Sequence, residues 1–159
     1  MSFDITTLIT DRTEYDVEYV KALSEKGLDG MSDAEKAEWS GEMNGAYNAS
    51  DLNRVGLAVD YLTSRLRSYG ILAKTAPKMD WTVDDAPTIS QMRQYIADVE
   101  ALRSAIAVLQ TTPDAPTDME GLTYTEANDI EKILTDVDRL ITNMTAAWFY
   151  SGDIYSGEV

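Results

Sequence analysis

Carboxylates are the residue type in this chain with the clearest capacity for catalysis. The sequence has 28 Asp and Glu residues but neither His nor Cys, so it lacks the commonest general base and any thiol nucleophile. A glycosidase needs two carboxylates that face each other across a cleft, and Asp51 and the pair Asp84–Asp85 are the candidates. With 28 acidic residues in the chain, some pairs will lie at a catalytically suitable separation by chance. We therefore predict no catalytic residues and no enzyme, with a carboxylate-based glycoside hydrolase as the lowest-ranked alternative.

The sequence also has few of the residues and motifs that bind a metal ion or a cofactor. Without His or Cys, only ions that take oxygen ligands, such as Ca²⁺, remain as candidates. The acidic runs DWTVDD (80–85) and PTDMEG (116–121) lack the calcium-loop pattern of alternating acids around a central Gly with a terminal Glu. The chain also has no phosphate-binding glycine loop and no Gly-x-Ser-x-Gly elbow. The sequence predicts no metal and no cofactor.

Aromatic side chains are the second group that could bind a ligand. Trp39 and Trp81 are weak candidates for stacking on a sugar ring, because neither adjoins a distinctive cluster of amides and acids in the sequence. The alternative for both is a place in the core, where most Trp residues of helical domains are found.

The C-terminal stretch is the strongest candidate for an interaction surface. Two Tyr-Ser-Gly units, at 150–152 and 155–157, follow an aromatic pair, and the glycines predict that the last helix ends before a tail at 151–159. A cluster of large apolar groups is unfavourable to leave in water. The tail therefore either covers the end of its own bundle or docks on another subunit or protein. The candidate interaction residues are Trp148, Phe149, Tyr150, Ile154 and Tyr155.

The length and the net charge of the chain limit the remaining classes of architecture and binding partner. A chain of 159 residues fits one domain. Its net charge of −15 repels phosphate backbones and anionic lipid surfaces, so we expect neither nucleic acid nor membrane insertion. No apolar run approaches the length of a membrane span, and the start MSFDITTLITDRTEYD does not have the pattern of a signal peptide.

Hydrophobic periodicity predicts an all-α domain, a bundle of about five helices with short extended termini. Apolar residues recur at spacings of three and four, and capping boxes mark four of the starts. Residues 1–12 are expected to form a brief strand or an extended arm, and the linker 71–87 is expected to pack through Trp81. The predicted helices span 13–26, 32–42, 51–69, 88–110 and 123–149.

A weak internal repeat suggests two related helix–loop–helix halves, about 11–70 and 88–150. Asp51-Leu52-Asn53-Arg54-Val55 aligns with Asp129-Ile130-Glu131-Lys132-Ile133 at an offset of 78 residues. Two unrelated amphipathic helices align in the same way because both repeat every 3.6 residues. Duplication and coincidence both remain open.

Five separated segments resemble a family of proteins. They are ITDRTEYDV (9–17), GAYNASDLNRVGLAVDYL (45–62), DWTVDDAPTISQM (80–92), LTYTEANDIEKIL (122–134) and YSGDIYSGE (150–158). Together they resemble uncharacterised helical modules of phage and prophage tail-fibre or minor structural proteins from Gram-positive, often gut, bacteria. The resemblance covers nearly the whole chain and brings no catalytic or ligand residues with it.

The resemblance implies a virion structural or adaptor module that acts through protein–protein contacts. Its partners would be other virion proteins or further copies of itself, and it would be made in the bacterial cytoplasm and become a virion component. A receptor- or glycan-binding module of a tail fibre is the alternative. The carboxylate-based hydrolase would then be a cell-wall enzyme.

Overall fold

The fold is all-α, as the periodicity predicts. A computed structural model describes the backbone of residues 2–156 and the side chains of 2–147. A single 3₁₀ turn at Ile5–Thr7 precedes the helices, and the described part of the chain contains no strand. The helices are α1 (Glu14–Gly30), α2 (Asp33–Trp39), α3 (Ala49–Ser68), α4 (Ile89–Ala105) and α5 (Tyr124–Ser156).

The core lies between α3, α4 and α5, each of which contacts the other two. Each helix contributes an apolar stripe at a spacing of three and four, which is the spacing that places residues on one helical face. Burial of these stripes is the main favourable term for the fold. The fully buried positions include Val55, Leu62, Leu66, Val99, Leu102, Ile130, Ile133, Leu134, Val137 and Ile141.

Helices α3 and α5 run in the same direction. Near their starts, Arg54 Nη2 lies 2.9 Å from Glu131 Oε1. Further along both helices, Arg65 forms an ion pair with Asp138. Contacts that advance together along two helices require them to be parallel.

Helix α4 runs in this direction too. Met92, near its start, lines the same cleft as Leu122, which lies just before α5. Arg103, near its end, donates from Nε to the carbonyl of Pro113, whose neighbour Thr112 donates to Asp136 in the middle of α5. The three core helices are therefore parallel, and the chain has to return across the bundle between them.

The return segments are extended and lie along the helices. Residues 71–81 run back along α3, since Thr75 hydrogen-bonds to Thr63 at 2.9 Å and Trp81 meets Asn53 nearer the start of that helix. The arm 2–12 follows α3 and α5 in the same reversed sense, with Phe3 beside Tyr61 at a ring separation of 6.1 Å.

Two asparagine amides hold these segments in the same way. Asn53 donates to the carbonyl of Trp81 at 2.8 Å and accepts from its N–H at 2.7 Å. Asn128 donates to the carbonyl of Arg12 at 2.9 Å and accepts from its N–H at 3.0 Å. Each amide replaces the backbone partner that an extended segment would have in a sheet.

Helices α1 and α2 lie outside this core. The buried apolar side chains of this region are Leu23, on α1, and Met31, between the two helices. The loop that follows them passes close to α1, because a Cβ placed on Gly45 would lie 2.0 Å from the carbonyl oxygen of Asp16. Helix α1 thus occupies a peripheral place whereas α4 is central. The proposed equivalence of the two halves stays a prediction.

Several sequence predictions are confirmed. Capping boxes form at Thr13, Ser32 and Thr88, and Thr123 exchanges the corresponding hydrogen bonds with Glu126. Trp81 is buried in the core, as expected for the anchor of the linker. Residues 2–12 form an extended arm with one 3₁₀ turn, which decides between the two alternatives for this part of the chain.

The predicted helix boundaries need five corrections. Helix α1 is interrupted at Gly27, with φ at 69°, and then continues to Gly30. Helix α2 ends at Trp39 rather than Glu42. Helix α3 begins earlier than predicted, because its N-cap is Asn48. Helix α4 ends at Ala105 rather than Gln110, because Ile106 turns to extended geometry and packs on the core from the return segment.

The fifth correction concerns the end of α5. Helix α5 continues to Ser156, past the predicted end near Phe149 and through Gly152. A glycine costs about 1 kcal/mol in a helix interior and does not by itself end the helix. The rest of the predicted tail, 157–159, lies outside the described residues.

The close approach of residues 71–81 to α3 depends on Gly56. A Cβ at this position would lie 2.5 Å from the carbonyl oxygen of Lys78. We expect Gly56→Ala to lower the free energy of unfolding by about 1–3 kcal/mol, as overpacking does, despite the gain in helix propensity. Gly41→Ala is the control, since its nearest neighbour would be at 3.4 Å. Equal urea unfolding midpoints for the two variants would contradict the expectation.

Candidate functional site

Four charged side chains meet inside the protein where the arm crosses α3 and α5. Arg12 comes from the arm, Asp51 and Arg54 from the first turns of α3, and Glu131 from α5. We call them the charge cluster. Arg12 and Asp51 are 4 % exposed and Glu131 is fully buried.

Every carboxylate oxygen in the charge cluster is occupied. Glu131 Oε1 accepts from both arginines, at 2.6 and 2.9 Å, and its Oε2 accepts from Arg54 Nε and from the N–H of Ile9. Asp51 Oδ1 accepts from both guanidinium groups, and its Oδ2 accepts from the N–H of Asn48 at 2.9 Å. Each of the four oxygens thus already accepts at least one hydrogen bond from the protein itself.

The charge cluster is neutral overall, with two positive and two negative groups. Burial by itself lowers the pKa of Arg54, but its hydrogen bonds and charge interactions with Glu131 and Asp51 outweigh this and raise the pKa. Arg54 is thus kept charged by its two carboxylate neighbours. Such a cluster fixes geometry: it sets where the arm and two helices cross.

A pair of tyrosines, Tyr95 buried and Tyr47 half-buried, extends the polar region towards α4. The hydroxyls of Tyr47 and Tyr95 lie 2.5 Å apart, and the guanidinium of Arg12 lies 5.4 Å from the centre of the Tyr47 ring. Burial raises the pKa of both phenols. The pair is therefore neutral at working pH and links the loop before α3 to α4.

Two open clefts flank Tyr47 at the end of the bundle where the core helices begin. The first, of about 430 Å³, lies between α1 and the start of α5, with Val17 and Tyr124 on its walls. The second, of about 640 Å³, lies between α4 and the segment before α5. We call the second cleft the N-terminal groove. It is lined by Tyr47, Leu52, Pro87, Ile89, Met92, Arg93, Asp118, Met119, Glu120 and Leu122.

A third, smaller cleft of about 170 Å³ lies under the first return segment and is lined by Trp81 and Asp98 among others. The indole N–H of Trp81 is buried without a hydrogen-bond partner. Asp98 Oδ1 accepts from the N–H of Ala76 at 2.9 Å and from Gln94 at 2.7 Å. Asp98 therefore holds the return segment against α4.

The structure separates the aromatic residues that the sequence singled out. Trp81 is 6 % exposed, and the ammonium of Lys78 lies 4.8 Å from the centre of its ring, so this ring is enclosed. Trp39 is 36 % exposed, on the outer helix α2. The side chains of Trp148, Phe149, Tyr150, Ile154 and Tyr155 lie outside the described residues, although the backbone there is helical.

Periodicity did not point to the charge cluster. The one feature of the sequence that could have indicated the cluster is Glu131. It lies between Ile130 and Ile133, on the buried face of α5. The partners of Glu131 come from positions 119 and 77 residues away. Contacts between residues this far apart in the sequence cannot be predicted before the fold is known.

Two further classes of site are absent from the described residues. Within residues 2–147, no three acids come together in a group that could hold a metal ion. Among the described helices, none is both long enough and apolar enough to cross a membrane. The charge cluster and the N-terminal groove are the features left to support a function.

The charge cluster predicts a large difference between two acids of α5. Glu131→Ala leaves two buried guanidinium groups with a single carboxylate, and we expect a loss of about 3–5 kcal/mol in the free energy of unfolding. Asp138→Ala removes one half-exposed ion pair with Arg65 and should cost less than about 1 kcal/mol. Urea unfolding measures both, and similar losses would show that the cluster is not an interlocked unit.

The buried carboxyl of Asp98 predicts how the stability of the folded protein changes with pH. Burial raises the pKa of its carboxyl, against the lowering effect of the hydrogen bonds from Ala76 and Gln94. A folded-state pKa above the unfolded value means that this group's contribution to stability is lost as the pH rises through the folded pKa. Asp98→Asn keeps an acceptor at Oδ1 and does not titrate.

We therefore expect the wild-type protein to gain stability relative to Asp98→Asn as the pH is lowered from about 7 towards about 4. Comparing the two proteins cancels the effect of the other carboxyls. Chemical denaturation at several pH values gives the difference in free energy of unfolding. A difference that is independent of pH, or of the opposite sign, would contradict the expectation.

Comparison with known proteins identifies no relative: no family model, no curated protein and no solved structure matches this chain significantly. A fold class alone does not determine a function. What the protein does has to be inferred from its own residues.

Proposed function

We propose that this protein is a non-enzymatic structural or adaptor module of a phage or prophage virion, which acts through protein–protein contacts. The virion context rests on the resemblance of five segments to phage and prophage proteins. The contact surface is argued from helix α5.

The observation that carries the proposal is the length of α5. Its 33 residues span about 50 Å, whereas the 20 residues of α3 span about 30 Å. The last buried residue of α5 within the described part is Ile141, and Arg65, near the end of α3, reaches Thr142. Helix α5 therefore projects beyond the core by roughly 20 Å.

A projecting helix of this kind needs a partner. An isolated helix of about 15 residues is marginally stable in water. Between Leu140 and Val159 the chain has only two charged residues, Asp153 and Glu158, and five large apolar ones lie between 148 and 155. A low-charge aromatic helix is what a docking element needs, since aromatic residues dominate the energetics of protein interfaces.

The interior of the bundle supports a mechanical role. Each carboxylate oxygen of the charge cluster accepts a hydrogen bond from the protein, and these bonds hold the arm and two helices in place. A rigid base with one projecting helix suits an adaptor, because a pre-organised surface loses less entropy on binding.

Removing the projecting end tests the proposal. We expect a chain that ends at Ala147 to keep its free energy of unfolding within about 0.5 kcal/mol, because no described residue after Ile141 is buried. The same chain should no longer be incorporated into purified phage particles, as measured by immunoblotting after gradient centrifugation. Val83→Ala, at a side chain that is 92 % exposed, is the control.

Two outcomes would contradict the proposal. The intact protein could be missing from particles and remain among the unassembled proteins of the lysate, which would remove the virion role. Alternatively, the chain that ends at Ala147 could be incorporated as well as the intact protein, which would remove the role of α5.

A further inference from the structure

The N-terminal groove is an exposed and partly apolar surface, and nothing in the described part of the chain covers it. Ile89 on its rim is 74 % exposed. Met92, Met119 and Leu122 continue the apolar surface into the groove. Its volume of about 640 Å³ is in the range of pockets that enclose a sizeable ligand.

The groove and the projecting helix lie at opposite ends of the molecule. The groove is formed where α3, α4 and α5 begin. Because these helices are parallel, α5 leaves the bundle at the far end. Each copy thus has an apolar recess at one end and a low-charge aromatic helix at the other.

The low charge of the projecting segment reduces the repulsion that would otherwise oppose contact between these two surfaces. A protein with a net charge of −15 repels its own copies over most of its surface. The segment 140–159 is the exception, with two charges in 20 residues, both acidic. On the groove, Arg93 is exposed and has no ion-pair partner among the described side chains.

The positive ends of the helix dipoles of α3, α4 and α5 gather at the same end of the molecule as Arg93 and also favour an acidic segment there. Two acids, Asp118 and Glu120, line the other wall of the groove and oppose this attraction. We therefore expect apolar contact to supply most of the affinity, with Arg93 selecting the orientation.

We propose that the projecting end of α5, residues 148–156, docks in the N-terminal groove of a second copy of this chain. This inference rests on the proposed function and names one partner for it. The contact is head-to-tail and joins two different surfaces, so it propagates into an open chain or closes into a ring. In either case, adding copies repeats the same contact along the direction of the helices.

Two variants test the groove and the projecting helix separately. Ile89→Glu places an acid in the groove, where it repels the acidic segment, and an acid in the first turn of α4 is compatible with the helix dipole. The chain that ends at Ala147 keeps the groove and loses the docking helix. Circular dichroism establishes that both variants remain folded. Val83→Glu, outside the groove, controls for added charge.

Sedimentation velocity of the purified chains is the measurement. We expect the wild type and Val83→Glu to form oligomers that grow with concentration, and each of the two docking variants alone to be monomeric, with self-association weakened at least tenfold. A mixture of Ile89→Glu with the chain that ends at Ala147 should form a 1:1 dimer and nothing larger, because one intact helix meets one intact groove.

Three outcomes would overturn the inference. They are a wild type that stays monomeric at all concentrations, an Ile89→Glu variant that still associates through its helix alone, and a mixture that forms no dimer. Each of these leaves the proposed function open to another virion protein as partner. Loss of the chain from purified particles, in contrast, would remove the proposed function without affecting self-association.

Discussion

The parallel direction of α3, α4 and α5 is the constraint on which the rest of the structure depends. Parallel neighbours cannot be joined by short turns, because the chain must first return along the length of the bundle. Helix α4 spans about 25 Å over its 17 residues, so an extended return needs at least about eight residues. The segments 71–88 and 106–123 provide them, which explains two connections that are unusually long for a helical domain.

Extended segments laid against helices have no strand beside them, so their backbone groups need other partners. Asn53 and Asn128 each supply a donor and an acceptor from one side chain, and Asp98 supplies an acceptor for Ala76. The charge cluster adds Glu131, which accepts from the N–H of Ile9. The polar residues of the core helices thus serve the segments that lie between them.

Buried ion pairs often contribute little net stability, because removing charges from water offsets their attraction. Their effect here is better described as selection of one arrangement. Arg12 Nη2 donates to Asp51 and to Glu131 where these two acids come together, so a shift of the arm along α3 and α5 would leave buried charges unpaired. The cluster fixes the register of a segment whose apolar contacts alone are not specific.

Local features of the fold were predictable from the sequence, and long-range ones were not. Capping boxes and stripes such as Ile130, Ile133 and Val137 depend on neighbours within a few positions, so they gave the helix class and most helix starts. Helix ends were less certain, since Ile106 leaves α4 in order to pack on the core and Gly152 remains inside α5.

The candidate site depends on contacts that periodicity does not encode. Arg12 precedes the N-cap Thr13 and has no mark in the sequence that distinguishes it from a surface arginine. Its burial follows only from the crossing of the arm with two helices. The N-terminal groove likewise needs the loop that carries Met119 to lie beside α4, which no local pattern specifies. The aromatic end of α5 was visible in the sequence because its composition differs from that of the rest of the chain.

The placement of the arm has a consequence for how the protein is made. Arg12 hydrogen-bonds to Glu131, a residue 119 positions later. At about 5–20 residues per second, a ribosome needs roughly 6 to 24 s to add that many residues. For this interval the arm has been synthesised but one of its two binding helices has not. The arm is therefore among the last parts of the described fold to reach its native place, although it is synthesised before the helices that bind it.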